Sequence, residues 1–275
     1  VSGNPMTNLL DGTRGLLDHL SLKEEPFGFH YADQRPQGFG PRKGEVFSRE
    51  REDAGKSNWL SAAAGFCCVV KNILLARRKG SSAWISHQEC GCLGAGYYLG
   101  LYQPYLESNL HIVSTGMSWP PVEGEHYMPS VECMRRFMED ALPPPATGKY
   151  GIFKPLSAFT VSAPPEVVIF FVRAEALVGL HALACFATGD HQCVITHFGA
   201  CCTQLAVWPR VDISRGIEKH VVVGLDISAR EHVQPDLLSL SIASSLNGKL
   251  PGSMSTTALT RYTWRRCTER HSATI

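Results

Sequence analysis

A Cys-Gly-Cys pair lies between a short apolar run and a glycine-rich segment in the stretch Trp84–Leu101, WISHQECGCLGAGYYLGL. The apolar run predicts a strand, and the segment after the pair predicts the start of a helix. Thiolates converge on a metal only where the backbone turns sharply, and Gly91, Gly94 and Gly96 remove Cβ atoms that would obstruct such a turn. Two cysteines do not complete a four-coordinate site, so further ligands must come from elsewhere in the chain.

Composition narrows the class of protein. The 275 residues are 44% hydrophobic, which is enough to bury a core without disulfides. A net charge of +1 argues against nucleic acid and anionic membranes as partners and favours a small-molecule ligand or a redox partner. We find no apolar run of spanning length and no secretory signal, so the expected location is cytoplasmic. Ten cysteines in such a chain indicate metal ligation, redox chemistry or burial rather than a disulfide framework.

The pattern of elements predicts an α+β fold with a mixed β-sheet covered by helices. We expect an N-terminal helix and a polar loop or lid over residues 1–58. A first α/β half carrying the Cys-Gly-Cys loop is expected over 59–145. A second α/β half, with a Cys-Cys loop and a C-terminal tail, is expected over 146–275. The proline run at Pro143–Pro145 is the candidate boundary between the halves.

The segment Trp59–Lys79 predicts a central buried helix, because it is apolar through its middle and ends in Arg77-Arg78-Lys79 before Gly80. Cys67 and Cys68 lie within it. Adjacent residues point about 100° apart around a helix axis, so at most one of the two thiols faces a given site.

The same order of features occurs twice. Gly80 is followed by an apolar strand and, twelve positions on, by Cys92; Gly189 is followed in the same way by Cys201. Each cysteine opens onto a helix-like run ending near a proline, Pro104 or Pro209. A duplication would give two pseudo-symmetric halves around a cysteine-lined site, with two equivalent loops facing each other.

Three motifs together resemble the family called domain of unknown function 169: the helix cysteine before LLARRKG, Cys92 before YYLGL, and Cys202 within GACCTQLAVWP. The resemblance covers about residues 59–244. It implies three cysteines, at Cys68 (or its neighbour Cys67), Cys92 and Cys202, and it implies no reaction. This chain departs from the pattern by doubling two of these positions and adding Cys90.

We predict that the cysteines hold an iron–sulfur cluster, with a four-iron four-sulfur cluster favoured, because soft thiolates select such metals and a cubane accepts ligands from distant loops. The predicted ligands are Cys68, Cys90, Cys92 and Cys202, with Cys67 and Cys201 as substitutes. If only three reach the cluster, one iron is open and could act as a Lewis acid. The alternative is a non-catalytic binding or scaffold protein whose cysteines are buried or hold a structural zinc, although the spacing fits zinc fingers poorly.

Other residues complete the predicted site. His87 and His197 precede the two cysteine loops and could serve as ligands or proton donors, and Trp119 could line an aromatic pocket. The remaining cysteines are assigned to packing or to the surface: Cys133, Cys185, Cys193 and Cys267. No nucleophile elbow, phosphate loop or dinucleotide fingerprint occurs, so the sequence supports a site better than it supports a reaction.

Overall fold

The fold is described from a computed structural model of the chain. It describes residues 24–41, 68–90, 93–101, 107–118, 121–198, 204–217, 219–223, 233–247 and 249–250, together with Thr13, residues 15–18, Leu20 and Leu22.

A seven-stranded mixed sheet forms the centre of the molecule. Its strands are β1 (Phe27–Ala32), β2 (Ala83–Ser86), β5 (Tyr150–Pro155), β6 (Val167–Val172), β7 (Val194–Ile195), β8 (His220–Val223) and β9 (Leu238–Ala243). Their spatial order is β2-β5-β1-β6-β9-β8-β7. β7 and β8 run parallel and the other neighbours run antiparallel. A separate hairpin consists of β3 (Gly116–Ser118) and β4 (Pro121–Glu123). The predicted α+β class is confirmed.

Strand β6 shows why both faces of the sheet are covered. Its sequence, VVIFFV, has no polar residue, and all six side chains are buried. Successive side chains point to opposite faces, so Val167 and Ile169 enter one core cluster and Val168 and Phe170 enter another. We call these the first and the second core cluster.

Helices pack on both faces of the sheet. The described helices are α1 (Cys68–Lys79), α2 (Leu93–Tyr98), α3 (Glu107–Val113), α4 (Val131–Asp140), α5 (Ala174–Thr188), α6 (Gln204–Ser214) and α7 (Ser244–Asn247). Buried residues of α1, α2, α3, α4 and α6 belong to the first core cluster. Those of α5 belong to the second. The described helices that adjoin the predicted cysteine ligands in the sequence, α1, α2 and α6, therefore lie on one face.

Local signals fix the ends of several helices. α1 ends in Arg77, Arg78 and Lys79, and Gly80 follows with φ +57°. The side chain of Ser130 accepts a hydrogen bond from the backbone N–H of Cys133 and caps α4. Gly189 ends α5 in the left-handed conformation with φ 68°. All three termini follow from signals that act within a few residues: a basic last turn, a serine cap and a terminal glycine.

The expectation that the second cysteine-linked helix ends near Pro209 is wrong, because α6 continues through Pro209 to Ser214. A proline inside a helix removes one backbone hydrogen bond and destabilises that turn. Buried side chains on both sides of it, Trp208 and Val211, hold α6 against the first core cluster. Tertiary packing thus overrides the local signal.

Strands from all three predicted segments belong to this one sheet, and β1 lies between β5 and β6. The two helix–strand–loop–helix units also differ in their placement. α1 packs on the first core cluster and α5 on the second, although β2 and β7 occupy opposite edges of the sheet with opposite directions. A twofold axis normal to the sheet would keep both helices on one face, so this arrangement does not follow a simple twofold. Within the described ranges, none of the helices has the length and apolar character needed to cross a membrane.

Candidate functional site

Two of the predicted sulfur ligands fall on described residues. Cys90 has 1% of its surface exposed and belongs to the first core cluster. Cys68 is the first residue of α1, although only its backbone is described. Cys67, Cys92, Cys201, Cys202 and Trp119 lie outside the described residues. In the part of the chain that the structure covers, no group of three or more His, Cys, Asp or Glu side chains is arranged to hold a metal ion.

The helices that flank the remaining cysteines share one face of the sheet. α2 begins at Leu93, the residue after Cys92, and α6 begins two residues after Cys202. First-turn residues of the three helices enter the first core cluster with Cys90; they are Val69 of α1, Ala95 of α2 and Leu205 of α6. The start of each helix is thus anchored in the same apolar layer.

The strands that lead into the two cysteine loops are nevertheless far apart. β2 and β7 are the two edges of the seven-stranded sheet, so six strand spacings of about 4.8 Å separate them by roughly 29 Å. The connection from β2 to α2 covers residues 87–92, and that from β7 to α6 covers residues 196–203. Fully extended, they could reach about 20 Å and 27 Å. Convergence of the loops therefore requires both to run inward over the helical face.

Aromatic contacts show that the second loop does turn inward. The Phe198 ring lies against Phe137 of α4, and Phe137 lies against Tyr98 of α2. Because the two centroid distances are 4.9 Å and 6.0 Å, the rings of Phe198 and Tyr98 are at most 10.9 Å apart. Phe198 is four residues before Cys202, and Tyr98 is six residues after Cys92. We call Phe198, Phe137 and Tyr98 the Phe137 bridge.

His197 is held beside this bridge by two residues of α6. Its ring stacks on Trp208 with centroids 3.9 Å apart and an angle of 15° between the planes. Its Nε2 lies 3.8 Å from Oδ2 of Asp212, whose side chain is 6% exposed. Neither of these two atoms has a hydrogen-bond partner among the described residues. Nε2 therefore faces the Asp212 carboxylate at a distance longer than a hydrogen bond, and Nδ1 is the other ring nitrogen, through which an imidazole can bind a ligand.

The other predicted histidine has a different setting. His87 is exposed in the connection between β2 and α2. The side chain of His197, by contrast, retains 26% of its surface and is enclosed at Nε2. The two histidines, which were equivalent candidates in the sequence analysis, therefore differ in their exposure to solvent.

An arginine that the sequence analysis did not identify fixes the position of α6. The side chain of Arg210 is 5% exposed and pairs with Glu166 at 2.9 Å. It also donates to the Tyr31 hydroxyl at 2.6 Å and to the backbone oxygen of Pro145 at 3.3 Å. Tyr31 in turn donates to the backbone oxygen of Leu99, just after α2. Arg210 thereby connects α6 with β1 and with the end of α2.

Burial raises the pKa of Tyr31 well above its ordinary value, with a smaller opposing effect from the Arg210 charge. Tyr31 is therefore a neutral phenol at physiological pH, and its role is to donate one hydrogen bond and accept another. No sequence signal points to this network, because its three members are separated by long stretches of chain.

Comparison with protein-family models gives a match over residues 15–250 to the family described as uncharacterised ArCR, domain of unknown function 169. No curated protein and no solved structure matches.

Proposed function

Since this chain belongs to the domain of unknown function 169 family, whose description assigns no activity, we propose a function from its own residues: it binds an iron–sulfur cluster, with a four-iron four-sulfur cluster favoured. The proposed ligands are Cys68, Cys90, Cys92 and Cys202. Cys67 and Cys201 are the substitutes where the phase of the helix or loop differs by one residue. The cytoplasm is the proposed location, because a reducing compartment keeps these thiols available.

The observation that carries this proposal is the Phe137 bridge. It limits the distance between Phe198 and Tyr98 to 10.9 Å, given contacts of 4.9 Å and 6.0 Å, although the strands that precede them form opposite edges of the sheet. This proximity of two residues that lie six positions after Cys92 and four positions before Cys202 supports the proposal that the two loops converge. A cubane cluster, which is wider than a single ion, suits thiols contributed from separate elements.

The surroundings are suited to an anionic cluster with thiolate ligands. Cys90 is already enclosed in an apolar layer that limits access of water. Described residues that adjoin Cys68 and Cys202 along the chain, Val69 of α1 and Leu205 of α6, are buried in the same layer.

Next to the cluster we propose a small-molecule pocket bounded by the Phe137 bridge, Trp208 and His197. The cluster would supply electron transfer, or Lewis acidity at an iron that lacks a thiolate. The protein would supply apolar ring surfaces that orient the ligand and exclude water. With Nε2 facing Asp212, His197 would present Nδ1 as the group that accepts or returns a proton.

The test is purification of the full chain without oxygen, followed by measurement of iron, acid-labile sulfide and visible absorbance. We expect a brown protein with broad absorbance at about 400 nm. Cys92→Ser should abolish this absorbance. Cys267→Ser is the matched control, because Cys267 belongs to none of the motifs, and it should leave the absorbance unchanged.

Three results would contradict the proposal. A colourless protein containing one equivalent of zinc would favour the alternative of a binding or scaffold protein with a structural metal. Equal effects of Cys92→Ser and Cys267→Ser would remove the basis for the ligand assignment. A chain without any metal under these conditions would indicate that its cysteines are packing residues.

A further inference from the structure

We propose that Cys185 and Cys193 form a redox-active dithiol that closes to an intramolecular disulfide. Cys185 lies in the last turn of α5, and Cys193 directly precedes β7. Both are free cysteines, and their Sγ atoms are 3.8 Å apart. A disulfide requires about 2.05 Å, so the sulfurs need to approach by less than 2 Å. No predicted cluster ligand takes part, so this inference is independent of the proposed function.

The segment between the two cysteines is already folded into a fixed turn. Gly189 adopts the left-handed conformation at the end of α5. Asp190 then anchors the turn: its Oδ1 accepts from the N–H of Gln192 at 2.7 Å, and its Oδ2 pairs with Lys219 at 2.6 Å. The backbone oxygen of Asp190 also accepts from the N–H of Cys193 at 3.3 Å. Because the turn is ordered before reaction, ring closure requires little further loss of chain entropy.

The two thiols differ in access. Cys193 is 0% exposed, whereas Cys185 is only partly buried. Both contact the second core cluster, on the face opposite to the first core cluster. Burial, and next the neighbouring Cys193, raise the pKa of Cys185. Cys185 is therefore a thiol at neutral pH, and because it is the more exposed of the two it is the position that a soluble oxidant reaches first.

The reaction balances with a peroxide as the oxidant. The Cys185 thiol loses its proton at about pH 8, and the thiolate attacks one peroxide oxygen. The O–O bond breaks, the departing hydroxide takes up a proton, and the products are a sulfenic acid and one water. The Cys193 sulfur then attacks the sulfenic sulfur, which forms the S–S bond and releases the second water. The two thiols lose two electrons and the peroxide gains them. A thiol reductant reverses the change by exchange.

The disulfide would fasten the end of α5 to β7, which is an edge strand of two residues. β7 continues directly into His197 and the loop with Cys201 and Cys202. An added covalent bond at this point would restrict local opening of the edge strand. Oxidation of the pair beside the second core cluster would thereby change the mobility of the segment after β7, whose Phe198 packs against the first core cluster.

Peptide mapping of the full chain tests the proposal. The reduced protein is treated with a small excess of hydrogen peroxide at about pH 8, alkylated and digested on the amino side of aspartate and after arginine. Cleavage before Asp190 separates Cys185 from Cys193. We expect a linked pair of peptides joining Cys185 to Cys193, with the link located by fragmentation and released by dithiothreitol.

Variants define the specificity. Cys193→Ser should leave Cys185 as a sulfenic or further oxidised species and abolish the linked pair. Cys133→Ser is the control, because Cys133 lies in α4 away from the pair, and it should leave the link intact. Recovery of both Cys185 and Cys193 as alkylated thiols would overturn the proposal. So would a link from Cys185 to Cys201 or Cys202, or oxidation of Cys185 to a sulfinic acid without any link.

Discussion

Replacement of His30 tests whether this buried side chain lacks its proton in the folded chain. His30 lies on β1 with 8% of its surface exposed, and its ring packs against Phe159 at 4.9 Å. Its Nε2 has no hydrogen-bond partner within the described residues. Burial first, and then the charge of Lys154, lower the pKa of His30 from 6.5 to about 4. His30→Leu replaces the imidazole by an apolar side chain of similar size.

The sign and size of the effect follow from linked protonation. Between pH 6.5 and pH 4 the unfolded chain binds a proton at His30 that the folded chain does not bind, so the free energy of unfolding falls as the pH falls. One pKa unit corresponds to about 1.36 kcal/mol. His30 therefore lowers the free energy of unfolding by about 2 kcal/mol at pH 5 and by about 3 kcal/mol near pH 4. At pH 7.5 it is negligible.

Urea unfolding under reducing conditions at about pH 7.5 and about pH 5 measures this difference. The wild-type chain should lose about 2 kcal/mol more than His30→Leu between the two pH values, because all other titrating groups are common to both. His181→Leu is the control, since His181 is exposed on α5, and it should retain the wild-type dependence. Equal losses for the wild-type chain and His30→Leu would refute the argument that His30 is buried without its proton.

Three other substitutions test packing and capping through urea or thermal unfolding. Ser130→Ala removes the cap of α4 and should lower the free energy of unfolding by about 1 kcal/mol; an unchanged midpoint would contradict the cap. Gly28→Ala would place a Cβ 2.4 Å from the Phe159 ring and should destabilise by about 1–3 kcal/mol, so a neutral result would contradict this close approach. Arg210→Met removes the ion pair with Glu166, which is 36% exposed, and the hydrogen bonds to Tyr31 and Pro145, and should destabilise by about 1–3 kcal/mol. Adding Glu166→Gln should recover part of that loss, and additive effects of the two changes would show that the pair is not coupled.

The elements that sequence reasoning predicted are those specified by neighbouring residues. Val167–Val172 is an uninterrupted apolar run and forms β6, the strand buried on both faces. Ser130 and Gly189 end helices through contacts within one turn. Such signals need no knowledge of the rest of the fold.

The features that sequence reasoning did not identify depend on contacts between residues that are far apart in the chain. Nothing in the sequence of β1 indicates that it separates β5 from β6. Arg210 is an ordinary cation in a linear pattern, and only the folded chain brings it within 2.9 Å of Glu166 and 2.6 Å of Tyr31. The same applies to Phe137, which no linear pattern identifies and which lies between Tyr98 of α2 and Phe198 in the folded chain.

The cysteines show a further limit of prediction from the sequence. Sequence reasoning selected Cys90 by its motif, and the structure places it at 1% exposure in the first core cluster. The convergence of Cys68, Cys92 and Cys202 remains a prediction. Cys185 and Cys193 were assigned to packing because a residue-type preference for burial says nothing about distance. Their position on either side of Gly189, the residue that ends α5, was the signal that could have identified a pair.

Because β1 lies between β5 and β6, it cannot pair in the sheet until those later strands have been synthesised. His30 pairs with Ile152, so the ribosome must add about 120 residues before that partner exists, which takes on the order of 6–24 s at ordinary elongation rates. During that interval Phe27 and Phe29 of the nascent chain have no sheet to join. The amino-terminal strand is thus translated first and incorporated late, so that chaperone protection of the emerging chain, rather than intrinsic speed of folding, is expected to govern the yield of native protein.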